Sequence, residues 1–187
     1  MPGLLGPDGN LWPDVPFVVK HATAAEVEKE IRAQVERAMK VGIRPTHLDS
    51  HMGTLFIPAY FPAYVKVARE YRLPFLAMRT GPMLALLKDT DILPDTIEMA
   101  TNVNPENWGS YYLGLVRSLK AGPHRIDRPP GLRRCRDASH HRGHPDYGSA
   151  WRQRDFDVIT SPAFQQALKD NRVTLVGWKT IQAKTKP

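Results

Sequence analysis

The sequence predicts an α/β architecture with parallel strands, and three observations lead there. Segments with apolar residues at helical spacing alternate with short apolar or alternating runs. The chain of 187 residues has the length of a single domain, 1–187, able to bury a core. No stretch approaches the roughly 18 consecutive apolar residues of a membrane span, so no membrane association is expected. In folds of this kind, functional side chains gather at the carboxyl ends of strands.

Taken in order, the first 20 residues, with PGLLGPDGNLWPDVP, read as a loop. Thr23 opens a capping box with Glu26, and Val27, Ile31, Val35 and Ala38/Met39 recur at helical spacing. Gly42 closes that helix and Pro45 follows it. THLDSH, 46–51, reads as a strand. Tyr60–Tyr71 returns to helical periodicity, with Pro62 allowed near its start. PFLAM, 74–78, has the composition of a buried strand. Residues 81–107 are mixed and punctuated by prolines, and WGSYYLGLVRSLKAG predicts a helix ending near Gly122, with Tyr111 and Tyr112 as packing residues. Ser161-Pro162 starts a helix running to about Asn171, and VTLVGW, 173–178, reads as a last strand.

Composition narrows the function classes. The start MPGLLGPDGNLWPD lacks a basic region followed by an apolar one, so no signal peptide is expected. Cys135 is the single cysteine, which excludes an intrachain disulfide and suits a reducing, cytoplasmic compartment. The net charge of +7 is concentrated: Arg125, Arg128, Arg133, Arg134, Arg136 and Arg142 are opposed there only by Asp127 and Asp137. Interleaved aromatics for base stacking are absent from that stretch, so nucleic acid is not the expected partner.

If THLDSH is a strand, His47, Asp49 and His51 share one face. Imidazoles are common metal ligands, and a neighbouring carboxylate often orients them. A catalytic ion usually takes three protein ligands and keeps a position open for water. The spacing equally fits two residues capping a strand end and an ordinary polar histidine at position 51.

PTHLDSHMGTLF resembles the signature segment of the YdjC/ChbG-like carbohydrate deacetylases, whose commoner form is PTHLDSHHHVH. TAAEVEKEIRAQVERAMKVG and GIRP sit where that family has its preceding helix, and HPDYGSAWRQRDFDVITSPAF and VTLVGWKTI resemble its C-terminal part. The resemblance implies a distorted (β/α) barrel of the polysaccharide-deacetylase type. It implies a divalent metal, zinc or magnesium, that activates water to remove acetyl groups from N-acetylated sugars. It places a metal ligand at His51 and gives His47 and Asp49 supporting or substrate-binding roles. Trp151, Arg152, Arg154 and Asp155 match a family segment, while packing against the fold explains them equally well.

Two departures from the family pattern carry expectations of their own. Family members open with a strand ending in an Asp-Asp pair, followed by a Gly-x-His segment. This chain contains no Asp-Asp pair and no histidine before His21. Met1 is then expected to be an internal or misassigned start, with the first strands and most metal ligands outside the chain, and any metal held weakly or not at all. The second departure is 123–143, PHRIDRPPGLRRCRDASHHRG, where the family has a strand ending in a histidine general acid. Its Arg-Pro composition matches frame-altered coding sequence, with changes near Gly122 and Gly143; an authentic basic loop is the alternative. His140, His141 and His144 match no standard metal spacing.

The expected function is therefore a metal-dependent carbohydrate deacetylase by lineage, with the aspartate base and histidine acid unassigned. The alternative is a catalytically dead fragment or binding protein that grips an acidic partner through the basic segment.

Overall fold

A computed structural model describes residues 2–77, 81–91, 93–98, 100–120, 124–126 and 148–185. They form two compact units, residues 1–94 with 176–187, and residues 95–175.

In the first unit, Thr23 and Glu26 form the expected capping box. Thr23 Oγ1 accepts from the Glu26 N–H, and Glu26 Oε2 accepts from the Thr23 N–H at 3.0 Å. Glu26 Oε1 accepts from the Gly3 N–H at 2.9 Å, so one carboxylate caps α2 (Ala24–Lys40) and ties down the N-terminal segment. These backbone donors, that of Thr23 foremost, hold the Glu26 carboxyl below its ordinary pKa. Val27, Ile31 and Val35 make the buried stripe of α2, packed against α3 (Phe61–Glu70). The two helices are also joined by Arg32, which pairs with Glu70 at 2.7 Å and with Glu28 at 3.0 Å.

α2 ends in a Schellman motif, the Ile43 N–H bonding the Ala38 carbonyl and the Gly42 N–H bonding that of Met39. Gly42 takes the required left-handed backbone, φ +85°. α3 ends the same way with Arg72 at φ +54° in the glycine position.

The first 20 residues are not all loop. Leu5 and Leu11 form an antiparallel bridge, and α1 spans Val15–His21. Asp14 caps α1 by accepting from the Phe17 N–H at 3.1 Å, and Pro16 sits in the first turn, where its missing N–H costs nothing. The density of Pro and Gly hides a helix of seven residues.

The expected strands THLDSH and PFLAM shrink to one parallel bridge, Leu48 to Phe75. Phe75, Leu76 and Ala77 are buried as PFLAM predicts, Leu73 just before the segment is buried too, and Met78 lies outside the described residues. VTLVGW is not a strand: residues 173–177 carry no regular structure, and α7 is Trp178–Thr185. Leu175 and Val176 are 68% and 61% exposed, and an extended run acquires strand character only from a partner.

In the second unit, β1 (Thr96–Glu98) pairs in parallel with β2 (His124–Ile126), Thr96 opposite His124. α4 spans Trp108–Ser118 and stops short of Gly122. α5 is Ser149–Ile159 and α6 is Pro162–Asp170, capped by Ser161 Oγ accepting from the Phe164 N–H. Trp108, Tyr112 and Val116 form the buried stripe of α4 against Trp151, Phe164, Ala167 and Leu168. The two parallel pairings agree with the α/β expectation. A closed barrel is not present among the described residues, whose regular structure is mostly helical. No described helix is long and apolar enough to cross a membrane.

Candidate functional site

Leu48 anchors the THLDSH segment. Its N–H donates to the Pro74 carbonyl at 2.8 Å, and its carbonyl accepts from the Leu76 N–H at 3.1 Å. Tyr64 Oη also donates to the Leu48 carbonyl at 2.8 Å and accepts from the Leu76 N–H at 3.2 Å. One buried hydroxyl therefore cross-links the two extended segments from the face of α3.

Beyond Leu48 the chain turns. Ser50 Oγ accepts from the Leu55 N–H at 3.0 Å, the Gly53 N–H reaches the Ser50 carbonyl, and Gly53 takes φ +73°. His51 stands exposed on this turn at the carboxyl end of the bridge, and Asp49 is exposed beside it. His47 is half-buried: its Nδ1 lies 3.1 Å from Thr46 Oγ1, and its ring stacks on Trp178 of α7, centroids 4.6 Å apart and planes 5° apart.

The alternation expected of a strand therefore fails at its ends. His47 packs under an indole, whereas Asp49 and His51 face solvent. Among the described residues no group of three or more His, Cys, Asp or Glu can hold a metal ion. Among the described residues His51 is therefore not joined by the set of about three protein ligands that a catalytic ion takes. His140, His141, His144, Cys135 and Arg133, Arg134 and Arg136 lie outside the described residues, as does all of 123–143 except β2.

The second unit holds a buried polar cluster with only a weak sequence signal. Trp108 Nε1–H and Tyr112 Oη–H both donate to Asp155 Oδ1 at 2.7 Å. Asp155 is fully buried, and its Oδ2 has no hydrogen-bond partner among the described residues. Burial pushes its carboxyl up from the ordinary aspartate value, with the Tyr112 and Trp108 donors opposing. Trp151 Nε1–H donates to the Ala100 carbonyl at 3.2 Å, and the Arg154 guanidinium lies 5.4 Å over the Trp108 ring. Of the four residues matched in WRQRD, Trp151 and Asp155 are core. Tyr112 packs as predicted and also spends its hydroxyl on Asp155.

Comparisons with known proteins agree on a lineage. A family model described as YdjC-like protein matches residues 1–170. The chain is similar to a carbohydrate deacetylase of Geobacillus stearothermophilus, 40% identical over 60 residues, 32% of this chain and 24% of that protein. It is similar to another of Vibrio campbellii, 24% identical over 155 residues, 83% of this chain and 58% of that one. The matches thus span less than two thirds of either relative. A solved structure from Enterococcus faecalis V583, described as a candidate cellobiose-phosphate cleavage protein, superposes with a TM-score of 0.75 at 20% identity, over 96% of this chain and 69% of that one. That likeness shows a shared fold.

Proposed function

The chain belongs to the YdjC-like protein family, and on that premise we propose that it acts on N-acetylated sugars as a carbohydrate deacetylase by lineage. The family match over residues 1–170 carries this reading, with THLDSH as its most specific local support. Deacetylation is hydrolysis of an amide: water adds to the acetyl carbonyl, and the sugar amine leaves with a proton. In this reading His51 is the metal ligand. Its exposure on the Ser50–Gly53 turn leaves the imidazole reachable, while His47 and Asp49 support the segment. The barrel of the family fold belongs to the same proposal.

A second reading, sugar binding without turnover, is favoured by the lack of a three-donor cluster among the described residues. Acetate release from an N-acetylated disaccharide, measured with zinc or magnesium in excess, separates the two. Turnover that disappears in His51→Ala supports the hydrolase. Binding of the disaccharide without acetate release supports the second reading. Failure of the wild-type chain to bind any N-acetylated sugar overturns both.

A further inference from the structure

α2 and α3 run side by side in the same direction, because Glu28 pairs with Lys66, Arg32 with Glu70 and Glu36 with Tyr71. Beyond their carboxyl ends a groove of about 450 Å³ opens within the first unit. Val35 and Leu73 are its buried floor. Met39 and Ile43 also line it, yet they are 54% and 59% exposed. Each exposure has a local cause. Met39 stands four residues past Val35 and carries the apolar stripe of α2 beyond the last turn of α3. Ile43 closes the Schellman motif, where this residue ordinarily packs on the position that Ala38 holds here. A methyl group covers little of an isoleucine.

The rim of this apolar groove is cationic. Arg44 lines it, Lys40 follows Met39 in the chain, and Arg72 stands between the lining residues Tyr71 and Leu73. All three are exposed. Lys40, in the last turn of α2, offsets the partial negative charge of the helix end, whereas Arg44 and Arg72 lie past both helices. The neighbouring carboxylate, Glu36, accepts from Tyr71 Oη at 2.8 Å and so serves to join the two helix ends.

We propose that this groove docks a partner protein through an acidic amphipathic helix. Apolar side chains one turn apart on the partner seat on Met39, Ile43 and Leu73, and flanking Asp or Glu residues meet Arg44, Lys40 and Arg72. Charge selects this occupant over a second copy of the chain, since a two-fold contact through the same patch sets these cations against themselves. Methionine suits the role, because its flexible thioether adapts to the shape of an incoming side chain. The inference is independent of the carbohydrate reading.

The test uses the whole chain and a labelled, stapled helical peptide with leucines at i and i+4 flanked by glutamates, followed by fluorescence anisotropy. Its controls are the same peptide with lysines for the glutamates, and with alanines for the leucines. The glutamate–leucine peptide is expected to bind about tenfold or more tighter than either control, and more weakly as salt rises. Arg44→Glu and Ile43→Ser, both at exposed positions outside the helices, are each expected to weaken binding several-fold with Tm unchanged. Equal binding of the three peptides, no binding of any, or variants that bind as the wild type does would each overturn the proposal. A dimer in sedimentation that dissociates in Ile43→Ser would assign the groove to a second copy and overturn it as well.

Discussion

His47 and Trp178 stack face to face, 4.6 Å between centroids and 5° between planes, which fastens the THLDSH segment to the C-terminal helix α7. Such pairs contribute about 0.5–1.5 kcal/mol beyond the area they bury. A double-mutant cycle on His47→Ala and Trp178→Ala, followed by denaturant unfolding, is expected to give a coupling energy of that size. Trp178→Phe, which keeps a ring, should lose less than Trp178→Ala. Additive effects of the two alanine variants would show that the stack contributes nothing.

Asp155 predicts a pH dependence of stability with a definite sign. Its folded carboxyl binds a proton more tightly than the same carboxyl in the unfolded chain, because burial disfavours the charge. Between the ordinary aspartate value and the raised folded value, the folded state therefore holds the extra proton. This site's contribution to stability falls as pH rises through that window and stays low above it. Carboxylates such as Glu28 and Glu70, held down chiefly by hydrogen bonds from Lys66 and Arg32 respectively, act in the opposite sense. The informative quantity is the difference between wild type and Asp155→Asn in unfolding free energy across pH. It should decline with rising pH, and a flat difference would remove the assignment.

Asp155→Ala is a harsher change. It leaves the Trp108 and Tyr112 donors buried without their acceptor, at about 1–3 kcal/mol for each. Urea unfolding should place this variant well below Asp155→Asn at the same pH.

Arg172 closes α6 in a left-handed conformation, φ +55°, with the Val173 N–H bonding the Leu168 carbonyl. A side chain in that region is strained by about 1 kcal/mol or more, which glycine avoids, although glycine is also freer when unfolded. Arg172→Gly is expected to raise stability by about 0.5 kcal/mol, and Arg72→Gly at the end of α3 by a similar amount. A lowered Tm in both would mean that the arginine side chains make compensating interactions.

Zinc titration of the chain should show no tight stoichiometric step, since His51 brings no cluster of donors with it among the described residues. Any weak heat that remains should diminish in His51→Ala. Tight one-to-one binding would contradict this donor count.

Where a signal lies within one turn of chain, the sequence was sufficient. Thr23 and Glu26 mark the start of α2, Gly42 its end, and Ser161-Pro162 the start of α6, because cap and capped group are only a few residues apart. The family, too, was legible, since THLDSH is contiguous. The site was harder. Nothing near Asp155 announces that its partners stand 43 and 47 residues away.

The sequence alone therefore determined α2, α3 and α6, through local capping and apolar spacing, and the lineage, through a contiguous motif, whereas α1 and α7 escaped it. Tertiary structure decided which apolar runs became strands, since VTLVGW has strand composition and 173–177 takes no regular form without a partner. It also decided that His47 lies under Trp178 while Asp49 and His51 face water. Pairing and burial depend on what the rest of the chain brings alongside, and that information is held in no single segment.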